Sequence, residues 1–239
     1  MSFMFLHIPV CLAGNVLIAT HLGSEVCKLT FSKFKKLTKD EENEFKIEAA
    51  SIMYAVVPWV LSIYLVIFDD AIRDNKLEGY SFGAQWNVAF VMGHSFADVL
   101  LRYKWSVGRH PSVFIYHICG IGVTGLVALV DDTMFYLASW RLYTALPSPL
   151  FLYRVMVRLL KLDGTTVGVK LRRIFFGIDI CCRICLTPVY YLFYSSILEA
   201  VSEPDQVSIA IFVCWLVSAL TIDLINVYWF VRIFKTQLT

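Results

Sequence analysis

Seven stretches of about twenty predominantly apolar residues divide this chain, at 3–23, 47–68, 80–101, 112–130, 133–160, 173–197 and 207–234. A helix needs ~20 such residues to cross the hydrocarbon of a bilayer. A soluble domain of this length would have to expose much of that apolar surface. Of the 239 residues, 58% are hydrophobic and only 17% are charged, against about 25% charged in soluble domains. The pattern predicts an all-α, multi-pass helical bundle in a membrane and disfavours the soluble enzyme classes. A net charge of +2 leaves no nucleic-acid footprint, so no nucleic-acid partner is expected. The first stretch lacks a basic head and a small-x-small cleavage site, and is read as a helix rather than a signal peptide. The fifth is too long for one straight span and is interrupted by Pro147 and Pro149, which predicts a kinked or broken helix.

The basic residues assign an orientation. With seven spans, fifteen of the 21 Lys and Arg residues fall in loops on one side and in the C-terminal tail, while Arg73 and Lys76 alone fall on the other. That asymmetry predicts a cytosolic C-terminus and a lumenal or external N-terminus. Acids such as Asp69, Asp70, Asp74, Asp131 and Glu199 collect on the opposite side. Residues 1–46 read as a first helix and a cytosolic loop, and 47–239 as a six-helix membrane domain. The seven cysteines lie almost entirely inside apolar stretches, which predicts neither a structural disulfide nor a metal site.

Ionisable groups inside the stretches are the candidate functional residues, since each costs ~2.5–3.5 kcal/mol at a bilayer centre. Asp98 is about one turn from the cytosolic end of the third stretch, with His94 one turn deeper on the same face. His117, Asp179 and Arg183, Asp223 and Asn226 come to similar depths on other stretches, and Arg141 lies in the fifth. Asp98, His117, Arg183 and Asp223 are therefore expected to face one polar chamber in the cytosolic half. Asp179 and Arg183 could equally pair with each other across one turn. Arg154 and Arg158 are placed to snorkel to headgroups. His117 is the candidate base or nucleophile, and Asp98 the carboxylate that sets its tautomer.

Several runs carry a resemblance. LVIFDDA from Leu65, GHSFADVL from Gly93, IYHIC from Ile115, WRLYTALPSP from Trp140 and DLINVYW from Asp223 together resemble the TLC-domain family. The resemblance implies a helical membrane barrel, usually of the endoplasmic reticulum, with a polar chamber that handles lipid. It also implies a membrane lipid as partner. Ceramide synthases of that family use a His-His pair to transfer an acyl group from acyl-coenzyme A. Here the first histidine of the pair is Tyr116, and two further polar positions are Ala145 and Leu152. His94 stands where an aromatic residue is usual and could replace part of the missing imidazole. The chamber implied by the resemblance is lined by His94, Tyr116, Arg141, Arg183, Asp223 and Asn226 around His117 and Asp98. The departures predict lipid binding or membrane-lipid homeostasis without ceramide synthase activity and without a cofactor. The alternative is an acyltransferase of sphingolipid metabolism, with acyl-coenzyme A as cosubstrate and His117 as base or nucleophile. A seven-helix receptor is disfavoured by the absence of Asn-Pro-x-x-Tyr in the last stretch, and a transporter by the absence of two similar halves.

Overall fold

Apolar stretches of this kind form helices because a backbone in hydrocarbon must satisfy its own polar groups. The computed structural model describes residues 4–17, 20–21, 25, 37–75, 79–107, 110–118, 125, 135–143, 157–162, 164–179 and 209–238, and these contain helices and no strand. The longer helices are α1 (Met4–Leu17), α2 (Lys39–Phe68), α4 (Phe82–Trp105), α7 (Thr166–Asp179) and α8 (Ile209–Leu238). Shorter ones are α3 (Asp70–Arg73), α5 (Pro111–Ile115) and α6 (Phe135–Tyr143). Among the described residues, two helices are long and apolar enough to cross a membrane: α2, and the part of α8 from Phe212 to Arg232. The expected proline break and the side chains of Arg154, Asp179 and Arg183 lie outside the described residues, as do four of the intramembrane cysteines.

Three helix boundaries depart from the apolar stretches. The second helix begins at Lys39, eight residues before the apolar run, because Thr38 and Glu41 form a capping box. The Glu41 amide donates to Thr38 Oγ1 (3.3 Å), and the Thr38 amide donates to Glu41 Oε2 (2.9 Å). At the other boundary, α4 runs a turn past residue 101 to Trp105, placing Arg102 and Lys104 where the helix C-terminus favours cations. The sixth stretch likewise begins early, at Thr166, where Thr165 Oγ1 accepts from the Gly168 amide (3.2 Å).

Helix α4 is central and packs against α1, α2 and α6. Its crossing with α1 is close: a Cβ on Gly93 would lie 2.6 Å from the Cβ of Cys11. Leu65, Val88, Met92, Phe135, Leu137 and Trp215 form one core shared by α2, α4, α6 and α8. Within it Asn87 Nδ2 donates to Ser62 Oγ (2.9 Å), a buried polar tie between α4 and α2. The outer faces are apolar. Val213, Val217, Leu220, Leu224, Val227 and Val231 form an exposed stripe along α8, and Val56, Val60, Tyr64 and Ile67 a second along α2. So large an apolar exterior suits lipid rather than water.

One end of the bundle gathers the basic segments. Phe45 of α2 packs with Leu159, Leu160 and Leu162, and Ile47 and Ala50 pack with Leu101, Trp105 and Val107. Trp229 of α8 donates from Nε1 to Ser112 Oγ at the start of α5 (3.0 Å).

Candidate functional site

His94, Asp98 and Arg102 recur at four-residue spacing on α4 and so form one stripe. Glu48 and Ser51 of α2 face it. The Arg102 guanidinium bridges the two helices, donating from Nε to Asp98 Oδ2 (2.7 Å) and from Nη2 to Glu48 Oε1 (2.6 Å). All three side chains are at most 7% exposed. Planar geometry lets one arginine serve two carboxylates in this way. Ser51 Oγ adds a hydrogen bond to Asp98 Oδ1 (3.3 Å).

His117 reaches the cluster from a third segment. After α5 the backbone continues through a π-type turn, Tyr116–Ile118, which carries the imidazole toward α4. Its Nε2 lies 3.3 Å from Asp98 Oδ2, the oxygen that also accepts from Arg102. A neutral imidazole facing a carboxylate carries its proton on the near nitrogen, leaving the far one with a lone pair. That far atom, Nδ1, is buried and has no hydrogen-bond partner among the described residues. The His94 ring stands edge-to-face to His117 with centroids 6.2 Å apart. His94, Ser51 and Asp98, with Ile47, Ala50, Ala97 and Leu101, line a narrow cleft whose enclosed part holds about one water molecule; its empty space of about 180 Å³ includes the open mouth.

The remaining expected residues divide. Tyr116 is buried against Ile222, Ile225 and Trp229, with its ring centroid 5.1 Å from that of Trp229, so it packs against α8. Arg141 and Asp223 are bound to each other: Arg141 Nη2 donates to Asp223 Oδ1 (2.5 Å) and to the Ala219 carbonyl (2.7 Å), tying α6 to α8. Asp223 is thus held by Arg141. Asn226 is half-buried one turn further along α8. Arg183 lies outside the described residues.

Glu48, Ser51 and Arg102 are site residues that the sequence reading did not pick out. Arg102, counted among the loop cations, is buried in the cluster. The signals were a cation four residues after Asp98, and a carboxylate followed three residues later by serine at the head of an apolar run.

The sequence pattern of the TLC domain matches residues 44–235, a span that takes in every member of both ionic clusters. The chain belongs to the TLC-domain family. It is 25% identical over 232 residues to TLC domain-containing protein 4 of Xenopus tropicalis, covering 92% of this chain and 86% of that protein. It is 24% identical over 208 residues to TLC domain-containing protein 4-B of Danio rerio (84% and 76%). The human TLC domain-containing protein 4 is 23% identical over 209 residues (84% and 77%). No solved structure matches the chain. Family membership and the apolar helices together make this a membrane protein of lipid-related type.

Proposed function

We propose that this TLC-domain chain crosses the endoplasmic-reticulum membrane seven times, with its C-terminus in the cytosol, and binds membrane lipid at the mouth of the cleft lined by His94, Ser51 and Asp98 without acting as a ceramide synthase. The observation that carries the reading is the buried Glu48–Arg102–Asp98 bridge with His117 beside it. Such groups are expensive in a membrane interior and mark function there by default. Support for the orientation comes from the shared end of the bundle, where the basic segments around α2, α4, α5 and residues 157–162 meet.

Charge allocation argues against acyl transfer. Asp98 is shared between the Arg102 guanidinium and His117, and the shorter contact is to Arg102. A carboxylate so engaged orients the imidazole but does little to stabilise positive charge on it. Tyr116, a phenol where ceramide synthases carry histidine, is a poor base and is turned toward α8. The cleft has apolar walls in Ile47, Ala50, Ala97 and Leu101 to meet a lipid, with the His94 imidazole in its lining and the His117 imidazole on the Asp98 carboxylate. The competing acyltransferase reading rests on the lone pair of His117 Nδ1, which could take a proton from an attacking amine.

Mass spectrometry of lipid carried through purification decides the binding half. Lipid should be retained by the native chain and lost in Ala97→Phe, which fills the cleft. Incubation with labelled acyl-coenzyme A and a sphingoid base decides the other half. Product that disappears in His117→Ala would establish the acyltransferase instead. Glycosylation acceptor sites engineered at Asn75 and near Lys36 test the orientation: modification is expected at Asn75 only.

A further inference from the structure

We infer that the outward face of α7 is a binding surface for anionic phospholipid headgroups at the basic end of the bundle. The inference rests on the membrane reading above, but not on the interior cleft.

Helix α7 packs inward through Phe176, which stacks on Phe230 of α8 with centroids 6.2 Å apart. Gly168 is buried and Leu171 is half-buried on the same side. At about 100° per residue, the exposed positions form one continuous arc roughly 160° wide. Lys170 and Arg173 lie in its middle, with Val169 on one flank and Ile174 and Val167 on the other. The aliphatic flanks are 40% (Val169), 53% (Ile174) and 59% (Val167) exposed. Neither cation has an ion-pair partner among the described residues. The helix has no acid before its last residue, Asp179.

This arrangement selects its surroundings. In water the valines and the isoleucine would be left hydrated on an open face. In hydrocarbon the two cations would be stranded. At the boundary between headgroups and acyl chains both are satisfied, because the aliphatics reach the chain region while the cations meet phosphate. Charge complementarity names the occupant as a lipid with net negative charge: a zwitterionic headgroup places a choline or amine beside the same cations. Each basic side chain close to such a surface favours the anionic lipid several-fold, and salt weakens the preference.

The test uses the full chain reconstituted in vesicles of phosphatidylcholine. These are doped with phosphatidylserine or phosphatidylcholine bearing a photoreactive diazirine near the headgroup, and crosslinked peptides are mapped by mass spectrometry. The peptide containing residues 166–174 should be labelled at least threefold more by the phosphatidylserine probe at low salt. The ratio should approach one in Lys170→Gln/Arg173→Gln and in 0.5 M salt. Lys170→Glu/Arg173→Glu should invert it. Because both side chains are exposed, the variants are expected to elute as the native chain does on gel filtration. Equal labelling by the two probes, or a preference unchanged in the double glutamine variant, overturns the inference. So does capture of an acidic protein by this face in native membranes with no lipid labelling in vesicles. Lipid retention in the cleft is read separately with Ala97→Phe, so either reading can fail alone.

Discussion

Replacing Arg102 by methionine keeps most of the volume of the side-chain stem and removes the guanidinium. Two carboxylates, Glu48 at 5% and Asp98 at 1% side-chain exposure, then face each other without the group that now lies 2.6 and 2.7 Å from them. Removing one partner from a buried ionic cluster typically costs ~3–5 kcal/mol, because the remaining charges lose their compensation but stay desolvated. Here Glu48 loses the arginine and Asp98 keeps only Ser51 and His117, so the upper half of that range applies. For a chain of this size each kcal/mol moves the unfolding midpoint by roughly 2–4 °C, giving a fall on the order of 8–20 °C. The same reasoning makes a second prediction of opposite sign. Glu48→Leu/Asp98→Asn/Arg102→Met, which removes every charge, should recover most of the loss, since apolar replacement of a whole buried cluster is often neutral. Both variants can be followed by tryptophan fluorescence during thermal unfolding in detergent. A single variant within about 0.5 kcal/mol of the native chain would refute the reasoning, and so would a triple variant as unstable as the single.

Other expectations follow from the packing and the caps. Gly93→Ala should destabilise by ~1–3 kcal/mol through overpacking against α1; neither Cys11→Ala nor Cys11→Gly should restore it fully, because the added methyl also meets the α1 backbone at the Leu12 nitrogen (3.0 Å) and the Cys11 carbonyl carbon (3.1 Å), as read by thermal unfolding. Asn87→Ala should cost ~1–3 kcal/mol in the same assay, because its side chain ties α4 to Ser62 in a fully buried setting. The Thr38 backbone amide, and then its hydroxyl, hold the Glu41 carboxyl below the ordinary glutamate range, ahead of the apolar part of α2. A depressed folded value means the cap contributes above the ordinary glutamate pKa of ~4.3 and is lost as pH falls through the lower folded value. Protection factors over residues 39–44, corrected for the intrinsic slowing of amide exchange in acid, should therefore fall below about pH 4, and Glu41→Gln should remove that dependence.

That the described residues are helical was legible because apolar run length is itself the physical constraint on a membrane chain. Counting turns from the ends of the runs also anticipated that Asp98 and His117 would lie at one depth, and the structure brings them within 3.3 Å. What the count could not resolve was the identity of the partners. Arg102 sits one residue beyond an apolar run, and a cation there looks the same whether it lies in a loop or on a continued helix. Only the continuation of α4 to Trp105 turns it inward. Glu48, the second residue of the 47–68 run, looks like an edge charge, and only the early start of α2 at Lys39 places it well inside a helix. Asp223 was expected beside Asp98 on depth alone, but depth says nothing about azimuth, and on α8 it meets Arg141 instead. Tyr116 enters the chamber only through the resemblance, as the place of the first histidine of the pair; adjacent residues leave a helix in different directions, and it packs on Trp229.

The Arg102 bridge has a consequence for how the bundle finds its alignment. In hydrocarbon, lipid tails are as apolar as leucine, so two smooth helices gain little by burying their faces against each other. Sliding α2 along α4 by one turn, about 5.4 Å, would exchange one set of aliphatic contacts for another of similar worth. It would also pull Glu48 out of reach of a guanidinium now 2.6 Å away. Together with the Asn87–Ser62 tie further along, the ion pair therefore acts as a peg that admits a single register between the two helices, and Gly93 against Cys11 acts as a steric peg on the α1 side.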